Sequence, residues 1–245
     1  MTWFKTARLM AFHSTDPQVG STFLEFDKLS TERYYFAASI RTHVTETMYK
    51  LMFDQPCSIS VDLNLGYAGD TSLNIVEVMS DKTSDSVLAR NIIQCVLLDK
   101  DTRKPTSLPD WWRCKYAPFA VGNEKLVVPV IPTPNANTNR YSMKPSWGDA
   151  DLNMHVGHLA YVEFCFDAAM EAVRNNFYAG FQDDILKYNV RTLESTYKGE
   201  SFPSDLLTVV TWQNSQNPLL LHFSIEKDGQ VIYQSSLEFF RQNTL

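Results

Sequence analysis

The stretch from Val156 to Tyr178 limits the possible folds more than any other part of the chain. Leu159, Ala160, Phe164, Phe166, Ala169, Met170, Val173 and Phe177 recur at helical spacing but fall on more than one helical face. A surface helix shows a single apolar stripe, so a helix apolar on several sides must be wrapped by other structure. Gly180 supplies an expected stop. Four strand-like runs follow, at Tyr188–Tyr197, Leu206–Trp212, Leu219–Glu226 and Val231–Arg241, with Asp228-Gly229 marking a tight hairpin between the last two. A helix followed by an antiparallel meander long enough to curl around it reads as an α+β fold.

The same order appears earlier in the chain. A helix is expected over Glu32–Phe53, and strands over Ser58–Leu65, Thr71–Met79 and Ser86–Leu98. Extended pieces at Thr22–Phe26 and Tyr141–Trp147 are expected to lead into the two helices. Between the repeats, Pro129, Pro132 and Pro134 are followed by Asn135, Asn137 and Asn139. Prolines stiffen such a segment and asparagines keep it solvated, which suits a connection. The reading is an N-terminal half over residues 1–120, a linker over 121–140, and a C-terminal half over 141–245.

Charge and cysteine content narrow the function. The net charge of −6 argues against a nucleic-acid partner, since neutralising a phosphate backbone needs a basic surface. Cys57, Cys95, Cys114 and Cys165 form no close pair, so neither a zinc knuckle nor a dithiol redox site is indicated. No apolar run reaches the roughly 18 residues of a membrane span. The expected setting is cytoplasmic.

Chemistry concentrates at Asp149-Ala150-Asp151-Leu152-Asn153-Met154-His155-Val156-Gly157-His158-Leu159-Ala160-Tyr161. Asp151, Asn153 and His155 stand at i, i+2 and i+4, so an extended backbone projects all three to one side, whereas a helix turns Asn153 away. That places them in the lead-in to a helix starting near Val156, where orphan N–H groups and the positive dipole end point outward. One acid or amide here needs no explanation beyond capping. Two acids, an amide and two imidazoles together favour a site. His155 and His158 suggest a metal pair, but no third ligand stands at suitable spacing, so neither a metal nor another cofactor is expected.

Trp147, Asp149, Asp151, Asn153, His155, Val156 and Tyr161 resemble the pattern W-x-D-x-D-x-N-x-H-V plus tyrosine of double hotdog thioesterases, the acyl-ACP thioesterase group and its acyl-CoA-hydrolysing relatives. Tyr197-Lys198-Gly199-Glu200 is similar to the strand on which that family carries a catalytic glutamate. Gly157-His158 departs from the Asn-Asn often found there, and Ser201 stands where some members carry cysteine. In the first half, Asp62-Leu63-Asn64 repeats only a triplet and reads as a strand.

The resemblance implies a tandem hotdog, an antiparallel sheet wrapped around a long central helix in each half, with one working site. It implies hydrolysis of an acyl thioester carried by coenzyme A or an acyl carrier protein. Glu200 is the preferred general base for water, or a nucleophile forming an anhydride, and Asp151 competes with it. His155 would orient the water or carboxylate network, and Asn153 would place substrate. N–H groups of Val156 and Gly157 would face the thioester oxygen, with Tyr161 beside them. A non-catalytic acyl-binding or scaffold protein and a hotdog hydratase or dehydratase are the alternatives. Monomer and homodimer are both compatible with two fused halves.

Overall fold

The structure, a computed structural model, describes residues 2–17, 20–54, 58–134, 137–151 and 154–241. Its chain divides into two compact units, Met1–Val127 and Val128–Leu245.

In the first unit, α1 (Thr2–His13) is followed by a 3-10 turn (Phe23–Glu25), α2 (Phe26–Glu32), β1 (Arg33–Val44), α3 (Glu46–Asp54), β2 (Ile59–Ala68), β3 (Ser72–Asp81), β4 (Val87–Asp99) and α4 (Asp110–Tyr116). The strands pair antiparallel in the order β2-β3-β4-β1. Two sequence expectations fail here. Residues 32–53 do not form one helix: Tyr34, Tyr35, Phe36, Ile40, Thr42 and Val44 are aromatic or β-branched, prefer a pleated half-buried surface, and pair with β4. Thr22–Phe26 is not an extended lead but the 3-10 turn that opens α2.

Both α1 and, through Met48 and Leu51, α3 pack on one cluster of this sheet. Phe4 is buried with Met79, Leu88 and Ala89, and one turn later Arg8 reaches Glu77 of β3 at 2.8 Å. Glu77 also accepts from Asn91, whose Oδ1 accepts from Thr42 at 2.7 Å. Burial pushes the Glu77 carboxyl above the usual carboxylate range, against the pull of the Arg8 guanidinium.

The second unit comprises β5 (Asn139–Met143), a 3-10 turn (Trp147–Asp149), α5 (Ala160–Arg174), β6 (Val190–Tyr197), β7 (Leu207–Gln213), β8 (Leu220–Lys227) and β9 (Gln230–Phe239). Its order is β6-β9-β8-β7-β5. Matching β1 with β6, β2 with β7, β3 with β8 and β4 with β9 makes the two topologies the same, with a helix before the first of the four strands in each. A counterpart of β5 is absent among the described residues of the first unit. Asp62-Leu63-Asn64 lies on β2, as a strand residue run should.

Leu221, Phe223 and Ile225 of β8, Val209 of β7 and Tyr233 and Leu237 of β9 form a fully covered face. On α5, Ala160, Phe164, Ala168 and Ala172 follow one i, i+4 row and Tyr161, Cys165 and Ala169 the next, all buried. The alanines let the helix lie close to the strands. Burial pushes the Cys165 thiol up to about 12 and the Cys95 thiol up to about 11, so neither is a ready thiolate.

Both helix ends differ from expectation for local reasons. The start is Ala160, not Val156, because Val156 forms an antiparallel bridge with Ala150. The end comes at Arg174, where Asn176 is left-handed (φ 53°), Phe177 N–H donates to Ala172 O and Asn176 N–H to Val173 O. That is a Schellman stop made with asparagine, six residues after Met170 and ahead of Gly180.

The opposite face of this sheet carries His222, buried on β8, whose Nδ1 lies 2.9 Å from Ser236 Oγ and whose Nε2 lies 3.3 Å from Asn214 Nδ2. Burial lowers its pKa below the ordinary 6.5. As pH falls below about 6.5 the unfolded chain takes up a proton on this ring and the folded chain does not, so stability drops until the folded value is reached. Urea unfolding at pH 7.5 and 5.5 should therefore show a larger loss for the native chain than for His222→Gln. Equal losses would remove His222 as a cause.

Candidate active site

Four main-chain ties build the site from two loops of the second unit. Gly157 N–H donates to Asp149 O at 2.8 Å, Asp151 N–H to His155 O at 2.8 Å, Val156 N–H to Ser201 O at 2.8 Å, and Ser204 N–H to Pro145 O at 3.0 Å. The loop before α5 and the loop after β6 are thereby fastened together. Met154 takes a left-handed conformation (φ 64°) to make the tight return.

His155 and Glu200 face each other across this junction. His155 Nδ1 lies 3.5 Å from Glu200 Oε1, with the imidazole 23% and the carboxylate 35% exposed. Water can reach both. The imidazole is steadied from one side by Phe202, edge to face at 4.8 Å between ring centres.

Glu200 does not sit on a strand. It lies three residues past the end of β6, and its neighbours hold it. Lys198 and Gly199 both donate their N–H to Ile232 O, at 2.8 and 3.1 Å. A Cβ on Gly199 would stand 3.0 Å from Ile232 Cγ2, so the chain passes too close to β9 for a larger residue to enter without a shift. On the other side, Ser201 is completely buried. Its N–H donates to Tyr161 Oη at 3.1 Å, its Oγ lies 2.9 Å from the same oxygen, and its carbonyl accepts from Val156.

The remaining expected site residues divide as follows. Asp151 Oδ1 accepts the His155 N–H at 3.3 Å and Asp151 O accepts that of Met154, so this acid shapes the turn that presents the imidazole. Asp149 closes a capping box with Ser146, accepting its N–H at 2.6 Å and its hydroxyl at 2.9 Å. Asn153 lies outside the described residues.

Val156 and Gly157 do not offer free donors to a substrate oxygen: both N–H groups are spent, on Ser201 O and Asp149 O. Tyr161 is buried rather than open to a ligand, stacked on Tyr233 at 5.3 Å with an interplanar angle of 15°. Burial pushes its phenol up, keeping it neutral. Its hydroxyl holds Ser201. His158 belongs to the same support, since its carbonyl accepts from Tyr197 Oη at 2.9 Å.

Tyr197, Gly199 and Ser201, marked in the sequence only as neighbours of Glu200, are the residues that fasten its loop. A glycine and a small serine flanking an acid were the available signal. Tyr161→Phe keeps the ring and loses the hydroxyl, and is expected to lower kcat by about 10-fold or more with KM little changed, because misplacing a reacting group by about 1 Å can cost 10²-fold. The kcat and KM split checks this, read beside a stability loss of about 1–3 kcal/mol from the stranded Ser201 N–H that leaves the chain folded. Among the described residues no group of three His, Cys, Asp or Glu is placed to hold a metal ion, and no helix is long and apolar enough to cross a membrane.

No family model matches the chain. The chain is 25% identical over 139 residues to a chloroplastic dodecanoyl-[acyl-carrier-protein] hydrolase of Umbellularia californica, a match covering 54% of this chain and 36% of that protein. It therefore spans little more than a third of the curated relative's length. A second relative, from Cinnamomum camphora and of the same description, is 24% identical over 139 residues, again 54% of this chain and 36% of that protein. Among solved structures, the 12:0-ACP thioesterase from Umbellularia californica superposes with a TM-score of 0.72 at 17% identity, covering 99% of this chain and 88% of that one. An acyl-ACP thioesterase from Bacteroides thetaiotaomicron gives 0.68 at 17% identity, over 98% and 88%. The chain has the tandem hotdog fold of these acyl-ACP thioesterase structures.

Proposed function

We propose that the chain hydrolyses acyl thioesters, releasing a carboxylic acid from an acyl group carried on the thiol of an acyl carrier protein or of coenzyme A. The observation that supports this most is the His155–Glu200 pair at 3.5 Å, water-accessible and fixed by main-chain ties on both sides. The relatives, acyl-ACP hydrolases, favour the carrier protein as the thiol's owner.

In this reading Glu200 takes a proton from water as the water oxygen attacks the thioester carbon. His155 holds that water or the carboxylate in line. The tetrahedral oxyanion collapses, the C–S bond breaks, and the thiolate leaves with the proton returned from Glu200. Thiols ionise near pH 8.5, so departure needs little acid assistance. The Val156 and Gly157 N–H groups, committed to Ser201 O and Asp149 O, are not assigned to the oxyanion. Asp151 is the weaker base because its carboxylate supports the His155 turn.

Thiol release from matched acyl-CoA and acyl-ACP substrates over a series of chain lengths tests the proposal. Turnover of any member above the rate without protein supports it. Saturable binding of acyl thioesters with no thiol released would overturn it in favour of an acyl-binding protein.

A further inference from the structure

The first seven residues of the expected linker are not a free connection. Val121 N–H donates to Leu65 O at 2.9 Å, Leu126 N–H to Gln94 Oε1 at 2.9 Å, and Arg41 Nη2 to Val127 O at 2.9 Å. Asn74 Nδ2 reaches Glu124 O at 3.3 Å. The strap crosses the face of the first unit's sheet opposite α1. Near one end it passes so close that a Cβ on Gly122 would stand 2.9 Å from Gly66 O.

Strap and sheet flank an open cleft of about 380 Å³, within the usual range of small-ligand sites. Its floor is apolar, from Val76 and Ile92, and Val121, Leu126 and Val127 line the strap side. Arg41, Arg90 and Lys125 also line it, against the single carboxylate of Glu124, which makes the cleft locally cationic in a chain of net charge −6.

The register explains why this arrangement asks for an anion. Arg41 pairs across the strands with Ile92, and Arg90 with His43, so the two arginines are diagonal neighbours on one face. Such neighbours lie about 7–8 Å apart between Cα atoms, within reach of long side chains, and like charges placed so repel. Neither Arg90 nor Lys125 makes an ion pair with a carboxylate among the described residues.

We propose that this cleft binds an amphipathic organic anion, with its head between Arg41, Arg90 and Lys125 and a short alkyl body on Val76 and Ile92. A guanidinium pair matches a carboxylate or phosphate head in geometry as well as charge, and the apolar floor selects a molecule with a tail. The inference is independent of thioester hydrolysis.

An eight-carbon carboxylate bearing a terminal diazirine is the probe, photolysed with the full chain in a Glu200→Gln background so that catalysis plays no part. Mass spectrometry is expected to find label on residues 121–127 or on β3 and β4, displaced by octanoate and reduced at least five-fold by Arg90→Gln. Arg90 is exposed and its loss leaves the core intact. Label confined to other parts of the chain, or unchanged in Arg90→Gln, would overturn the site. Displacement by inorganic phosphate as efficient as by octanoate would overturn the requirement for an alkyl body.

Discussion

Glu200→Gln should lose 10²- to 10⁴-fold in kcat against its best acyl thioester, the range that a positioned general base contributes. The substitution keeps shape and removes only the ability to take a proton. Because the carboxylate is about one-third exposed and its loop is fastened through Gly199 and Ser201 main-chain atoms, the variant should unfold at the same urea concentration as the native chain. KM should change little if the acid acts on water rather than on the acyl group. His155→Ala should follow with a smaller loss, since it removes an orienting partner and leaves the base. A single turnover in ¹⁸O-water tests for the covalent role: label in the protein carboxylate fits an anhydride opened at the glutamyl carbon, whereas label in the product acid alone fits a base or an anhydride opened at the acyl carbon. Undiminished turnover in Glu200→Gln would dismiss both.

Arg8→Met is expected to cost about 3–5 kcal/mol at neutral pH, the effect of stripping one partner from a buried ion pair. The side chains of Arg8 and Glu77 are 10% and 0% exposed, and the pair closes α1 onto β3. Burial already raises the Glu77 carboxyl, and Arg8 is the main influence holding it down.

The pH dependence follows in sign. A carboxyl whose folded pKa lies above its unfolded value of about 4.3 favours the folded state at low pH and ceases to do so as pH rises through the folded value. Without Arg8 that folded value climbs further, so Arg8→Met should recover part of its lost stability on acidification from pH 7.5 to 5.5. Arg8→Met with Glu77→Leu removes the stranded charge and should restore most of the loss at pH 7.5. A single variant costing under about 1 kcal/mol would mean that solvent reaches the pair.

The second unit was legible because its signals are local. Apolar residues around a whole helix, four strand runs and Asp228-Gly229 each declare themselves within about ten residues, and the hairpin joins β8 to β9 as expected. In the first unit, residues 33–44 contain no glycine or proline to mark a boundary, so strand and α3 merged into one apparent helix. Only the pairing of β1 with β4, 45 to 66 residues later, fixes that segment as a strand.

The site divides in the same way. His155 was visible from spacing, and Glu200 from the resemblance to a family motif. Neither the bond from Ser201 to Tyr161, which spans 40 residues, nor the diversion of the Val156 and Gly157 N–H groups could be read from the sequence. Those depend on how closely two loops approach, and a donor's partner is settled by that approach alone. Tyr161 was expected beside the substrate because it completes the motif of the resemblance, and its polar tip lies inside the unit. That tip holds a neighbouring loop.

The double anchorage of Ser201 gives the chain evolutionary latitude at one place. The acid's nearest anchors, through Ile232, Tyr161 and Val156, lie ahead of Phe202, and the Ser204–Pro145 tie beyond it is made by main-chain atoms alone. Phe202 and Leu206, both solvent-facing, come after the last anchor of that set. Drift in the side chains of this short arc can alter what meets an incoming molecule while the reactive oxygen stays in place, so new preferences can arise there without rebuilding the chemistry.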